Sequence, residues 1–152
     1  PVAVRFCKEA GEGATFDLRI GGKSGPMSGD PVDLTVTVRK VIENATQSFG
    51  TSQMTIGDAA WVEADGLDLV LISTRQQTFN PDAFTQFGID LTAKRAVIVK
   101  SSQHFHAGFA PIGSEVLYLG TPGAITPDFA NIPFTRVAVP YWPKVADPWA
   151  GE

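Results

Sequence analysis

Cysteine and histidine are scarce in this chain of 152 residues, which holds one cysteine, Cys7, and two histidines. A single cysteine excludes an internal disulfide and argues against a structural zinc site built on thiolates. We therefore expect a reducing, cytoplasmic setting. We expect neither a metal nor another cofactor to be held by this chain itself.

Charge is also sparse, because charged residues make up 18% of the chain against roughly 25% in typical soluble domains. The net charge of −4 gives no basic footprint, so no nucleic-acid partner is expected. No apolar run reaches the roughly 20 residues of a membrane helix, and the first residues lack the apolar core of a signal peptide. No membrane partner is expected either. A surface so poor in charge predicts cover by another domain or by a second copy in a homo-oligomer.

The length fits one domain over residues 1–152, which would bury roughly 70% of its unfolded surface. Strict alternation of apolar and polar residues predicts strands over 14–20 and 31–42. Residues 44–52 are small and polar and predict a loop. The pattern over 2–10 fits a helix and a strand equally well.

Three more strands are predicted over 54–56, 59–62 and 67–73, with a hairpin corner at Asp65-Gly66. The stretch 67–72 is almost entirely apolar, which predicts a central strand that is covered on both faces.

A helix start is predicted at Asn80-Pro81-Asp82, with a capping side chain, proline at the first helical position and an acid in the first turn. Gly88 predicts the end of that helix. A buried strand over 96–99, a short helix over 103–109 and a strand over 116–119 then predict a β–α–β unit. The fold class expected from all these elements is mixed α+β, with a strand-rich mixed sheet and a few short helices.

The last part of the chain is rich in proline and aromatic residues: seven of the 11 prolines lie at or beyond Pro111. Proline at this density excludes regular helix and central strand. The interleaved aromatic rings predict that residues 120–152 form an extended arm that packs on the protein and buries those rings.

The segment from Lys100 to His106, with the sequence K-S-S-Q-H-F-H, is the strongest candidate site. It follows a predicted buried strand, and α/β proteins bind ligands at that position. Its two histidines would chelate a metal from a strand, whereas on a helix they would point about 200° apart. Only Asp90 and Glu115 offer themselves as further ligands. For the chain alone, the simpler interpretation is that one histidine is solvated and the other is packed.

Other candidates carry weaker signals. The glycine-rich loop over 21–25 lacks the spacing of a phosphate loop and predicts a plain turn. Neither the serines beside His104 nor Cys7 is marked as an activated nucleophile, so no catalytic residue is predicted. Residues 75–79 either bind a substrate carboxylate or end a strand with a packing role, and we favour packing. Three acids are interpreted as turn and cap residues: Asp65, Asp68 and Asp82.

The chain from about Gly11 to Pro143 resembles the C-terminal domain of the microcystinase C-like (MlrC-like) zinc metallopeptidases. The resemblance rests on K-S-S-Q-H-F over 100–105, T-P-G-A-I-T-P-D over 121–128 and P-Y-W-P over 140–143. The strings G-A-T-F-D-L-R-I-G-G-K over 13–23 and D-L-V-L-I-S-T-R-Q-Q-T-F-N-P-D-A-F over 68–84 agree with it.

The resemblance implies a larger peptidase whose N-terminal catalytic domain, absent from this chain, holds the zinc ligands. This chain would pack on that domain and shape its cleft for a linear or small cyclic peptide, and would be inactive alone. His104 matches a histidine of the family, whereas the family commonly has arginine at the position of His106. Four residues are the implied contacts to substrate or to the metal ligands: Lys100, Ser102, Gln103 and His104. The alternative is a non-catalytic module that binds a small molecule or serves assembly through the same segment.

Overall fold

The structure is a computed structural model that describes residues 2–23, 25–121, 123, 125 and 128–150. Ser24 of the glycine-rich loop, and Pro122 and Pro127 of the predicted arm, lie outside the described residues. The chain divides into two compact units. One comprises Pro1–Ile20 with Val32–Val116, and the other comprises Gly21–Pro31 with Leu117–Glu152. One domain over 1–152 with an arm from residue 120 stays a prediction.

A four-stranded antiparallel sheet forms the centre of the first unit, with its strands in the order of the sequence. The strands are β1 (Thr15–Ile20), β2 (Val32–Phe49), β3 (Ser52–Ala64) and β4 (Leu67–Ile72). Three short α-helices accompany them: α1 (Val2–Ala10), α2 (Asp82–Thr85) and α3 (His106–Phe109). The predicted fold class, strand-rich α+β with a few short helices, is confirmed, whereas the described sheet is antiparallel and not mixed as predicted.

Alternation along the strands supplies two apolar clusters. The first contains Cys7 of α1 and side chains of one face of β1, β2 and β3, namely Leu18, Val36, Val38, Ala60, Val62 and Ala64. The second contains Ala45, Ile56 and Ala59 of the sheet together with Phe87, Ile89, Leu91, Phe105 and Phe109 from the later part of the chain. Successive residues of a strand point to opposite faces, so Ala59 and Ala60 enter different clusters.

Residues 2–10, for which the sequence left helix and strand open, form α1. Val4 and Cys7 lie three residues apart and are both buried, which is the spacing of one helix face. The ammonium group of Lys8 donates to the Asp58 carboxylate at 2.5 Å and lies 2.9 Å from Glu43. The hydrogen bond from Lys8, aided by the backbone N–H of Asn44, lowers the pKa of Asp58.

The predicted loop over 44–52 is wrong, because β2 continues to Phe49 and β3 begins at Ser52. The polar composition of this stretch indicated a loop, but its burial follows a strand pattern: Ala45 and Gln47 are buried, and Thr46 between them is exposed. The predicted strands over 54–56 and 59–62 are one strand, which passes through Gly57 without a break.

The expected central position of 67–72 is also wrong. β4 pairs with β3 alone among the described strands, so it is an edge strand, and its side chains are half-buried beyond exposed Leu67. Asp65 does lie in the hairpin turn, with a φ of 49°. Asp68 is no turn residue: it lies in β4 and accepts a hydrogen bond from Trp61 Nε1 at 2.7 Å and another from Lys94.

The predicted β–α–β unit does not form. Residues 96–99 and 116–119 are not strands, and every strand pair described is antiparallel. The helix between them is shorter than predicted, and its cap position is held by Phe105 without a side-chain hydrogen bond. By contrast, the predicted helix after Asn80 is present as α2, and Gly88 follows it with a φ of 92°.

Most of the aromatic side chains described in residues 120–152 are exposed, Tyr141 is half-buried, and the packing of this arm on the protein stays a prediction. Trp142 is 69% exposed and Trp149 73% exposed, and Phe129 is also more than half exposed. Within this second unit, Phe134 and Tyr141 pack edge to face with their ring centroids 5.4 Å apart. Among the described residues, no helix has the length and apolar character needed to cross a membrane.

Gly57 is expected to be the least replaceable glycine of the sheet. Its φ is +71°, and an added Cβ would lie 2.3 Å from Ser73 Oγ and 2.6 Å from Thr74 Oγ1. Gly57→Ala combines left-handed strain with overpacking, and we expect it to lower the free energy of unfolding by about 2–4 kcal/mol in urea titrations. Gly50 has a φ of +60° and open space around it, so Gly50→Ala is the control with strain alone, at about 1 kcal/mol. Equal losses for the two variants would contradict the steric argument.

Candidate functional site

An open cleft of about 440 Å³ lies in the first unit, where the end of β2 meets the start of α2 and the segment before α3. It is lined by Ser48, Phe49, Gly50, Phe79, Asn80, Gln103, His104, His106, Ala107 and Gly108. None of the lining residues that the structure describes is Asp, Glu, Lys or Arg. It offers aromatic rings, two imidazoles, hydroxyl and amide groups, so it suits a ligand recognised by ring contacts and neutral hydrogen bonds.

Three rings form the aromatic part of this cleft. Phe49 and Phe79 have centroids 4.6 Å apart, and the His104 ring stands edge-on to both, at 5.1 Å from Phe49 and 5.8 Å from Phe79. These distances are in the range of attractive aromatic pairs. Phe79 is buried, whereas Phe49 and His104 are exposed, so the cluster has an anchored base and an accessible rim.

The base of this ring cluster is held by Gln47, which is 1% exposed. Its amide nitrogen donates to the backbone C=O of Gln77 at 2.6 Å, and its amide oxygen accepts from the backbone N–H of Phe79 at 2.8 Å. A buried amide is stable only when both of its ends are paired. Gln47 thereby fixes the loop that carries Phe79 against β2.

The segment from Lys100 to Gln103 is tied to the same loop. The backbone N–H of Thr78 donates to the C=O of Lys100 at 3.3 Å, and Ser101 Oγ lies 3.1 Å from the side-chain oxygen of Gln77. These contacts position the candidate segment.

The site was predicted because it would follow the carboxyl end of a buried strand. This basis is wrong, since residues 96–99 are not a strand. Within residues 75–79, Phe79 is buried and has a packing role, whereas Arg75 and Gln77 are exposed.

Asp82 fastens the start of α2 to the same end of β2. One of its carboxylate oxygens accepts from the backbone N–H of Ser48 at 2.9 Å and from Ser48 Oγ at 2.6 Å. Asn80 Oδ1 accepts from the backbone N–H of Asp82 at 3.3 Å, but the cap position of α2 belongs to Pro81 and not, as predicted, to Asn80. Asp82 thus does more than occupy a helix start, because it links two walls of the cleft.

The four predicted contact residues fall into two pairs. Gln103 and His104 line the cleft. Lys100 and Ser102 are exposed and lie outside its lining. His106, considered at first only as a metal ligand or as a substitute for arginine, also lines the cleft. Both histidines of the chain therefore face one open space.

The donors in the part of the chain that the structure describes do not fit a zinc site. Within the described residues, no three or more His, Cys, Asp or Glu side chains are grouped closely enough to hold a metal ion. Of the acids considered as further ligands, Asp90 accepts hydrogen bonds from the backbone and hydroxyl of Thr92, and Glu115 is exposed. A tetrahedral site needs three or four protein ligands.

Cys7 is a packing residue of the first apolar cluster and not a candidate nucleophile. Its side chain is fully buried, and burial raises the pKa of its thiol. A reactive cysteine requires the opposite shift toward the thiolate.

We expect the isolated 152-residue chain to bind no zinc stoichiometrically and to show no peptidase activity, because the ligand supply is too small. Elemental analysis of untagged protein measures the first half of this prediction, and peptide hydrolysis measures the second. One tightly held zinc per chain that is lost on His104→Ala would place the metal in this domain and overturn the prediction.

Sequence reasoning missed Gln47, Phe49 and Phe79 as parts of the site. The signal that was present is the alternation of Ala45, Gln47 and Phe49, which continues the pattern of β2 through a stretch that looks polar. The contacts to Phe79 join residues about thirty positions apart, and no local pattern reports them.

The fold and the site together define an antiparallel α+β domain with an open aromatic cleft. The chain belongs to the family described as MlrC C-terminus, whose sequence profile matches residues 1–136, so the resemblance noted above is confirmed. It is 38% identical over 121 residues to Microcystinase C from Sphingomonas sp., in an alignment that covers 80% of this chain and 24% of that protein. It also superimposes, with a TM-score of 0.81 and 28% identity, on a crystal structure provisionally described as a metallopeptidase from Mesorhizobium sp. BNC1.

The matched structure is also much longer than this chain. The alignment covers 98% of this chain and 30% of that protein. The alignments thus span 24% of Microcystinase C and 30% of the matched structure, so this chain corresponds to less than a third of either protein.

Proposed function

We propose that this chain is the C-terminal part of a zinc-dependent metallopeptidase that acts on linear or small cyclic peptides. The observation that carries the proposal is the 38% identity to Microcystinase C over 80% of the chain. The family match over residues 1–136 agrees with this identity. The zinc ligands are proposed to lie in the N-terminal catalytic domain of the same protein, since the donors described in this chain do not fit a zinc site.

In this proposal the aromatic cleft is the part of the chain that faces the catalytic domain and its substrate. His104 and Gln103 offer an imidazole and a primary amide at the accessible rim, where each can bond to a peptide group. Lys100 and Ser102 lie on the same segment, exposed but outside the cleft lining. They would serve as contacts to the neighbouring domain or to the ends of the substrate.

The test uses the complete protein that contains this chain. We expect it to hydrolyse linear or small cyclic peptides, to lose activity on treatment with a chelator, and to regain activity with zinc. Mass spectrometry of the products identifies the bond that is cleaved. A complete protein that contains zinc but leaves a broad panel of peptides intact would contradict the peptidase assignment.

A binding or assembly module remains the second candidate function, because the first unit contains a cleft of its own. This candidate predicts that the isolated chain binds a ligand in the cleft with the same affinity as the complete protein. The peptidase proposal predicts that ligand affinity depends on the catalytic domain. Titration of one peptide into both proteins, followed by calorimetry, separates the two.

A further inference from the structure

Residues 95–100, with the sequence R-A-V-I-V-K, are here called the edge segment. Exposure alternates along it in the period of a strand: Ala96, Ile98 and Lys100 are exposed, whereas Val97 and Val99 are half-buried. The two valines pack against the second apolar cluster. Ile98 is 84% exposed, so burial of its side chain by a partner would remove apolar surface from water.

The backbone of the edge segment is unpaired. Among the described residues, no hydrogen bond reaches the N–H or C=O groups of residues 96–99, and only the C=O of Lys100 accepts one, from Thr78. The segment thus combines strand-type composition, strand-type alternation and free main-chain groups. The segment belongs to no described sheet, but it has the free backbone and side-chain pattern with which an added strand can pair.

In the register that centres on Val97 and Ile98, charge disfavours a second copy of the chain as the added strand. Arg95 and Lys100 flank the apolar residues, both are exposed, and neither has an ion pair among the described residues. Antiparallel pairing of two copies about Val97 and Ile98 would set Arg95 of each copy opposite Lys100 of the other. Like charges directly opposite each other destabilise a strand pair.

We propose that the edge segment pairs with an apolar strand flanked by carboxylates, and that the part of the longer polypeptide outside residues 1–152 supplies this strand. The pairing satisfies the free backbone groups, places acids opposite Arg95 and Lys100, and removes Ile98 from water. The two relatives exceed this chain three- to four-fold in length, so they have ample chain for such a strand. The inference rests on the proposed function only in requiring that this chain is part of a longer protein.

Hydrogen exchange followed by mass spectrometry tests the pairing in the complete protein. We expect the amides of residues 97–99 to exchange about 100-fold or more slowly than in an unstructured peptide. Ile98→Pro removes the central N–H and should return residues 97 and 99 to nearly unprotected rates, whereas Ile98→Val should retain the protection. Unchanged protection of β3 in both variants shows that the domain is still folded.

Charge reversal tests whether the partner strand is acidic. Reversal of both cations, in the double variant Arg95→Glu with Lys100→Glu, should lower the protection of residues 97–99. Arg136→Glu, which reverses an exposed cation elsewhere, should leave it unchanged. Loss of protection in the control as well, or none in the double variant, would overturn the acidic character assigned to the partner strand.

Unprotected amides at 97–99 in the complete protein would overturn the proposal as a whole. So would protection that appears in the 152-residue chain alone and rises with its concentration, because a second copy would then be the partner. Peptide hydrolysis measured on the same sample keeps the two proposals distinct. If the protein hydrolyses peptides but these amides are unprotected, only the strand pairing is contradicted. If the amides are protected but no peptide is hydrolysed, only the peptidase function is contradicted.

Discussion

Gln47→Leu is expected to lower the free energy of unfolding by about 2–4 kcal/mol, although leucine has nearly the same size as glutamine and should leave little cavity. The side chain is 1% exposed and pairs with the C=O of Gln77 and the N–H of Phe79. Leucine would leave both backbone groups without their partner in a site that water does not reach freely. Thermal or urea unfolding measures the loss, and a decrease in melting temperature of about 5–12 °C corresponds to it.

Gln53 supplies the matched control for this prediction. It is an exposed glutamine of β3 whose amide donates to Ser48 Oγ at 3.0 Å, so Gln53→Leu should change stability by no more than about 0.5 kcal/mol. Equal effects of the two substitutions would show that the buried amide of Gln47 does not stabilise the loop. The Phe79 ring should also become mobile in Gln47→Leu, which aromatic proton line shapes in NMR would detect.

Local alternation was enough to predict the first half of the sheet. Leu18, Val36 and Val38 are apolar residues that alternate with polar ones, and each is buried as expected. The same rule failed beyond residue 44 because the buried face there carries Ala45 and Gln47, which have little hydrophobicity of their own. Gln47 is buried through its two hydrogen bonds, and those partners lie about thirty residues along the chain.

The edge segment shows the opposite failure. Val97, Ile98 and Val99 have the composition of a strand, but a strand exists only when another segment pairs with it. Sequence pattern reports that a segment is suited to a sheet and does not report whether a partner is at hand. The edge position of β4 was not predicted for the same reason. The burial of an apolar strand depends on which other parts of the protein cover the sheet, and the sequence of the strand does not report this.

The candidate site was predictable in part. The resemblance to the family indicated Gln103 and His104, and the structure places both in the cleft lining. Phe49 and Phe79, which build the ring cluster around His104, come from β2 and from the loop before α2. Phe49 and Phe79 come together only in the tertiary structure, through the hydrogen bonds of Gln47 and Asp82. No motif in the linear sequence therefore predicts this contact.

His104→Ala is expected to lower the turnover of the complete enzyme by about 10- to 100-fold if its imidazole contacts substrate or orients a metal ligand, as we propose. The melting temperature should change little, because the side chain is exposed and contributes mainly ring contacts to Phe49 and Phe79. Peptide hydrolysis and thermal unfolding, measured on the same preparation, give both numbers.

His104→Phe separates the imidazole nitrogens from the ring as the cause of this loss. Phenylalanine can keep edge contacts with Phe49 and Phe79 but has no nitrogen to donate or accept a hydrogen bond. A functional histidine predicts that the phenylalanine variant is as slow as the alanine variant, with wild-type stability. A packing histidine predicts normal turnover for phenylalanine, and for alanine a lower melting temperature with normal turnover of the folded fraction. The second pattern would retire His104 as a contact to substrate or metal ligands, and the cleft would then owe any binding to Gln103, His106 and the exposed face of Phe49.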